Sequence, residues 1–403
     1  MKSADVIIVG GGVTGLTTAI HLREQGVRDV RIVERHFVGA GQSGRAAGIV
    51  RSLVGNSAVA SMLQYSIKFL STFRDRYGAK ITLNPIGYLL VNDADATKQL
   101  SNVIAAATKG GCVATMISPR DASELQPGLR SIDDDIYAFE PGAIYVDPMP
   151  VVQVLANVAR KIGVEIIEGT EVEEIRTDSR GVQGVTTREE TIASRKVLVG
   201  TASWGAAMLA EAGIEVPVYP HRVEMGFYSA PLESPFRLVR IISDARTTLY
   251  MRPEGPDLMF VGWREGDRIS CTSDLHPEDP DNYQQTSRYS SLMQMSESLA
   301  KTLPFMQDGF VHRTYACVYD YTPDAMPILD EAREVEGLYF ALGFSGGGFS
   351  LSPWVGRAMA EFMATGKRTS ELELLSVSRF SENKPVSWSN VSSGTPPVSS
   401  ERK

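Results

Sequence analysis

The sequence predicts an α/β plus α+β fold in which a Rossmann-like domain is interleaved with a domain built on an antiparallel sheet. Three observations predict it. The apolar strand Asp5 to Val9 runs into Gly10, Gly11, Gly12 and Gly15, a helix follows, and a second strand, Val30 to Val33, ends on Glu34. Short apolar strands recur much later, at Val197 to Gly200 and Leu338 to Ala341, the latter ahead of another glycine loop. Between them Val216 to Gly262 breaks into short alternating segments, Arg237 to Ser243, Thr247 to Arg252 and Leu258 to Val261, separated by Pro, Gly and Asp.

The N-terminal order of parts is what an adenine dinucleotide requires. Gly10 permits the strand-to-helix turn, Gly12 lets backbone approach a pyrophosphate, and Gly15 allows the helix to pack on the strand. The pyrophosphate sits on the helix N-terminus at Val13 and Thr14, where free N–H groups and the helix dipole favour an anion. Glu34 accepts hydrogen bonds from a ribose diol and repels a 2′-phosphate, which selects FAD or NAD over NADP. The small-residue run Gly41 to Arg51 suits backbone pressed against a flat ligand, with Ser43, Ala46, Ala47 and Gly48 as contacts; the alternative is a flexible surface loop. Near the other end, Gly343 to Ser350, with Gly346, Gly347, Gly348 and Phe349, leads into a helix expected over Pro353 to Thr365 and offers a second cradle. A nicotinamide fold does not require that second loop, so the pair narrows the dinucleotide to FAD.

A chain of 403 residues, 43% hydrophobic and 22% charged, suits two or three globular domains. With a net charge of −8 and no dense basic cluster, nucleic acid is not expected as a partner. No stretch is apolar enough for a membrane span, and the first strand begins too early for a signal peptide; the expectation is a cytoplasmic protein. Cys112, Cys271 and Cys317, with five scattered histidines, form neither a disulfide framework nor a metal site.

Periodicity predicts a helix over Val59 to Arg76, a strand pair from Ile81 to Asn92 around Pro85-Ile86-Gly87, and a helix over Val151 to Ile162. A strand over Glu165 to Glu168, a hairpin at Arg180-Gly181 and a helix over Tyr283 to Leu303 follow. The Ser- and Pro-rich end from Ser376 reads as a flexible tail.

Four segments together make the chain resemble the D-amino-acid oxidase (DAO) superfamily of FAD-dependent amine oxidoreductases, in its sarcosine oxidase, glycine oxidase and dimethylglycine dehydrogenase branch. They are the fingerprint ending in Glu34-Arg35, Thr201-Ala202-Ser203-Trp204, Tyr321-Thr322-Pro323-Asp324-Ala325-Met326-Pro327-Ile328, and Gly343-Phe344-Ser345-Gly346-Gly347-Gly348-Phe349. The resemblance implies FAD contacts at Arg35, Val172, Thr201 and Trp204 as well. It implies oxidation of the C–N bond of an amino acid or secondary amine, with hydride passing to flavin N5 and an imine hydrolysed by water. Under it, residues 1–80, 150–213 and 330–375 form the FAD-binding domain, 81–149 and 214–329 the substrate domain, and 376–403 the tail.

The candidate substrate anchors are Arg51, Arg252 and Arg264, because a guanidinium grips a carboxylate bidentately; ordinary surface pairing is the alternative for each. The resemblance makes Cys317, in Cys317-Val318-Tyr319-Asp320-Tyr321-Thr322-Pro323-Asp324, a candidate for a covalent link to the flavin, against an ordinary buried thiol. Two features depart from the family pattern. Gly347 and Ser350 stand where His and Lys are frequent, and Phe260 falls where a lysine is associated with oxygen activation. Oxygen and a protein or quinone therefore both stand as electron acceptor. A 2-hydroxy-acid dehydrogenase and the FAD-carrying subunit of a larger amine dehydrogenase are the competing readings, and the oligomeric state is open.

Overall fold

A computed structural model describes residues 2–263 and 280–386. Its centre is a six-stranded sheet in the order Ile328–Glu331, Leu338–Leu342, Val197–Val199, Val6–Val9, Val30–Val33, Glu165–Ile167. Every pair is parallel except the first, which is antiparallel. The strands are apolar throughout because both faces are covered. Val6 and Ile8 face a helical layer, while Ile7 and Val9 face a four-stranded sheet that carries the Val172–Asp178 and Gly181–Thr187 hairpin.

In the helical layer the first helix, Val13–Glu24, is buried from Val13 to Leu22. It packs against a closing helix, Gly348–Thr365, at very short range. A Cβ on Gly356 would lie 2.4 Å from Thr17 Oγ1, and the Thr17 hydroxyl donates to Ser352 O at 2.9 Å. Thr14 and Ser352 hydroxyls join at 2.7 Å. Small residues on both helices thus permit a contact that sets their two glycine-opened N-termini side by side.

The second sheet has eight strands, in the order Phe310–Tyr321, Tyr219–Ser229, Leu258–Trp263, Leu249–Glu254, Ile241–Asp244, Tyr88–Asn92, Ile136–Glu140, Thr115–Ile117. Its neighbours are antiparallel apart from Ile241–Asp244 with Tyr88–Asn92, which run parallel.

Several boundaries differ from the sequence expectations. The helix expected over Val59 to Arg76 breaks at Thr72 into Ser57–Ser71 and Phe73–Tyr77. Ile81 to Asn92 holds one strand, Tyr88–Asn92; Asn84 makes only an isolated bridge to Tyr145. The helix expected from Tyr283 starts at Tyr289, because residues 280–288 form an extended strap on the eight-stranded sheet, where Arg222 donates to Gln284 O and Thr286 O. Pro353 lies inside the closing helix, which begins at Gly348. The segment from Ser376 is not a free tail up to Val386: Arg379 is buried in an ion pair with Asp324, and Val386 N–H donates to the same carboxylate. The remainder of the expected tail lies outside the described residues.

Candidate active site

The C-terminal ends of the central strands open onto a cavity of about 660 Å³. From the first turn, Gly10, Gly12, Val13 and Thr14 line it. Gly10 adopts φ +108°, and a Cβ there would lie 2.6 Å from Gly200 O. Gly15 does not line the cavity; a Cβ on it would meet Gly10 O at 2.2 Å, so its part is to let the helix approach the strand. Glu34 lines the cavity at the end of its strand and accepts from Gly11 N–H at 2.7 Å and His36 N–H at 2.9 Å.

Ser43 and Ala46 also line it. The Ser43 hydroxyl accepts from Val13 N–H at 2.9 Å, which leaves its own O–H to donate. Gly48, at φ +69°, is pressed on Val146 O, where a Cβ would sit at 2.1 Å. Ala47 lies against the eight-stranded sheet, its carbonyl accepting from Arg252. Neither Ala47 nor Gly48 lines the cavity, and both shape the loop that does.

From the second loop, Phe344, Gly346, Gly348 and Phe349 reach the cavity, whereas Gly343, Gly347 and Ser350 support them. Gly347 caps the closing helix without a side-chain bond, and the Ser350 hydroxyl turns back to Gly347 O at 3.0 Å. Val172, Thr201 and Trp204 complete the set expected from the sequence.

The donor set fits a diphosphate-bearing dinucleotide. Neither glycine-opened helix has an acidic residue in its first turn or a side-chain cap from its own N-cap residue, so, apart from Val13 N–H, which Ser43 takes, both turn N-terminal N–H groups toward one cavity. The Thr201 hydroxyl, on the cavity wall, is buried without a hydrogen-bond partner. Ala202 and Ser345, with φ of 51° and 50°, hold left-handed backbone in the two loops that approach the site.

Other wall residues carried no sequence signal. Asp281 and Tyr283 come from the strap. Arg35 donates to both Asp281 oxygens, at 2.8 and 3.0 Å, lies 3.7 Å from Glu171, and stacks 5.4 Å from the Trp204 ring centre. Burial pushes the Asp281 carboxyl up, but Arg35 outweighs it and holds the group below the ordinary carboxylate range. A contact spanning 246 residues is not written in any local pattern.

The arginine candidates separate. Arg51 does not line the cavity; it donates to Leu53 O at 2.8 Å, lies 4.8 Å over the Tyr88 ring, and has no ion pair among the described residues. Arg252 is buried between the rings of Tyr145 and Phe260, donates to Ala47 O at 2.6 Å and is neutralised by Glu254. Its bonds tie the cofactor-side loop to the eight-stranded sheet. Arg264 lies outside the described residues. Cys317 is buried with Val223, Met225, Phe227 and Phe260 and is not part of the cavity wall. Burial pushes its thiol up to about 12, against the pull of Arg45 and Arg222, which disfavours the thiolate that flavin attachment needs.

A parallel sheet with two glycine-opened helices converging on one cavity, beside a large antiparallel sheet, defines an oxidoreductase of the dinucleotide-binding class. More particularly, the chain belongs to the family described as DAO, FAD dependent oxidoreductase, which matches residues 5–362, and FAD is its cofactor. It is 24% identical over 384 residues to 4-methylaminobutanoate oxidase (formaldehyde-forming) of Paenarthrobacter nicotinovorans, covering 93% of this chain and 45% of that protein. It is 25% identical over 386 residues to sarcosine oxidase subunit beta of an Arthrobacter species, covering 94% and 91%. The chain thus spans about half of the first relative and most of the second. The crystal structure of L-proline dehydrogenase from P. horikoshii shares the fold, with a TM-score of 0.87 at 24% identity, over 96% of this chain and all of that one. Among the described residues no helix is long and apolar enough to cross a membrane.

Proposed function

We propose that this chain oxidises the C–N bond of an amino acid or N-alkyl amine, to an imine that water hydrolyses. The observation that carries the substrate class is Arg51: a half-buried guanidinium, held on Tyr88, without an ion pair among the described residues. Such a group stabilises a carboxylate arriving from solution, and Arg252, already neutralised, does not compete for it. The two curated relatives, named for N-methyl amine and sarcosine oxidation, support the same class.

Bound FAD supplies the hydride-accepting step. Gly12, Val13, Ser43 and the closing-helix N-terminus would hold its diphosphate and Glu34 its ribose, with Arg35 and Trp204 as further contacts on the wall. The positive end of the closing helix favours negative charge where it meets the cavity. Phe227, Tyr250, Phe260 and Tyr315 form a cluster of rings in contact on the eight-stranded sheet.

The test is anaerobic bleaching of the flavin band by a panel of N-methyl amino acids, cyclic amino acids and 2-hydroxy acids. Bleaching by an amine is expected; bleaching by hydroxy acids alone overturns the reading. Arg51→Gln is expected to raise KM for the bleaching amine about tenfold to a hundredfold with little change in kcat, the loss of one charge-assisted pair. The rate of reoxidation in air then separates an oxidase from a dehydrogenase.

A further inference from the structure

We infer that Arg379, in the C-terminal segment, is a positioning residue for the cofactor: it fixes the second glycine loop through Asp324 and Thr322. Both members of the Arg379–Asp324 pair are almost wholly buried. Arg379 Nε donates to Asp324 Oδ2 at 2.7 Å and Nη2 to Oδ1 at 2.9 Å, while Nη2 also donates to Met326 O at 2.8 Å. A bidentate guanidinium sets the plane of the carboxylate it grips.

Asp324 passes that orientation inward. Its Oδ1 accepts from Met326 N–H at 3.1 Å and lies 3.2 Å from the Thr322 hydroxyl, whose nearer acceptor is Met326 O at 2.7 Å, the carbonyl that Arg379 also grips; together they close a turn in which Ala325 takes φ 58°. Thr322 then meets the loop in two ways. Its N–H donates to Ser345 Oγ at 3.2 Å, and its methyl fills the space over Gly343, where a Cβ would lie 2.2 Å from Thr322 Cγ2. Ser345 is fully buried at φ 50°, a conformation that persists only when its surroundings over-determine it. Its N–H donates to Asp320 O at 3.0 Å and its hydroxyl to Gly343 O at 3.3 Å. On either side of it Phe344 and Gly346 line the cavity, and the chain then enters the closing helix.

The same segment has a second anchor, at Asp330. Ser376 Oγ and Val377 N–H donate to Asp330 Oδ2, at 2.6 and 2.9 Å, and Arg368 pairs with Oδ1. Asp330 lies on the edge strand of the central sheet. The two anchors share Ser376, whose carbonyl accepts from Arg379 Nη1 at 3.1 Å, but Asp330→Asn leaves the Arg379–Asp324 fork itself intact.

The experiment compares Arg379→Lys, which keeps the charge and loses the fork, with Asp330→Asn in the full-length protein. The readouts are FAD affinity of the apoprotein, the visible spectrum and reduction potential of the bound flavin, and thermal stability. Arg379→Lys is expected to weaken FAD about tenfold or more, on the order of 1.4 kcal/mol, and to shift the flavin spectrum. Asp330→Asn is expected to lower thermal stability and leave both flavin readouts in place. If the two variants change spectrum and affinity alike, or Arg379→Lys leaves both at wild type, the inference is overturned. Should Arg379→Lys give no folded protein, Thr322→Val carries the test: it breaks the relay inside an intact ion pair, and wild-type affinity and spectrum in that variant reject the inference.

Discussion

The two glycine loops do the same work by different means. The first, Gly10 to Gly15, is built within one strand–helix–strand unit, and its partners Glu34 and Ser43 follow within some thirty residues of sequence. The second, Gly343 to Phe349, takes its shape from Asp320, Thr322 and, through Asp324, Arg379. One is a local design and the other a tertiary one. Local loops depend on what their own residues permit, whereas assembled loops depend on the buried polar groups around them.

Alanine at Gly10 and at Gly343 is the largest test of that contrast. Both glycines have positive φ. The Cβ at Gly10 meets a backbone carbonyl, which cannot yield, while that at Gly343 meets a threonine methyl. Gly10→Ala should destabilise the protein by about 3 kcal/mol and abolish FAD binding, and Gly343→Ala should cost about 2 kcal/mol. Thr322→Ser, which removes the methyl, should restore part of the second loss and none of the first, as read by urea denaturation. Equal restoration of both would dissolve the distinction.

Asp320 gives the next effect. It anchors Gly343 N–H at 2.8 Å, and burial raises its carboxyl from 3.8 to about 6. The folded protein therefore keeps a proton that the unfolded chain has released. That contribution to stability is present below about pH 4 and lost as pH rises through 6. Asp320→Asn, which still accepts from Gly343, should gain on wild type by up to about 3 kcal/mol between pH 4 and 7. A stability difference between the two that does not vary with pH would show that Asp320 is ionised throughout.

The smallest effect is expected at Cys317. Acid precipitation should leave all the yellow colour in the supernatant, and Cys317→Ser should bind FAD as wild type does. Colour retained in the wild-type pellet and lost from that of the variant would establish the covalent bond that the buried thiol argues against.

The first turn was legible because glycine at Gly10 and Gly15 answers to backbone sterics that any strand-to-helix turn imposes. The strands were legible for a similar reason, since sheets covered on both faces need continuous apolar runs. The Arg35–Asp281 clasp, the strap from 280 to 288 and the start of the closing helix at Gly348 were not. Each depends on groups far apart in sequence, and Pro353 misled because proline favours the first helical position, whereas here it lies inside the helix. The polar composition after Ser376 likewise concealed Arg379, whose burial is possible only because Asp324 awaits it.

By itself the amino-acid sequence determined the dinucleotide turn and the two kinds of sheet, because these follow from local sterics, periodicity and spacing; the family and FAD came through the resemblance that its motifs carry. Only the tertiary structure separated two of the arginine candidates. Arg51 and Arg252 are chemically alike in the sequence, and what separates them is the placement of Glu254 beside one guanidinium and of Tyr88 beneath the other. A charge is available or neutralised according to what folding brings near it.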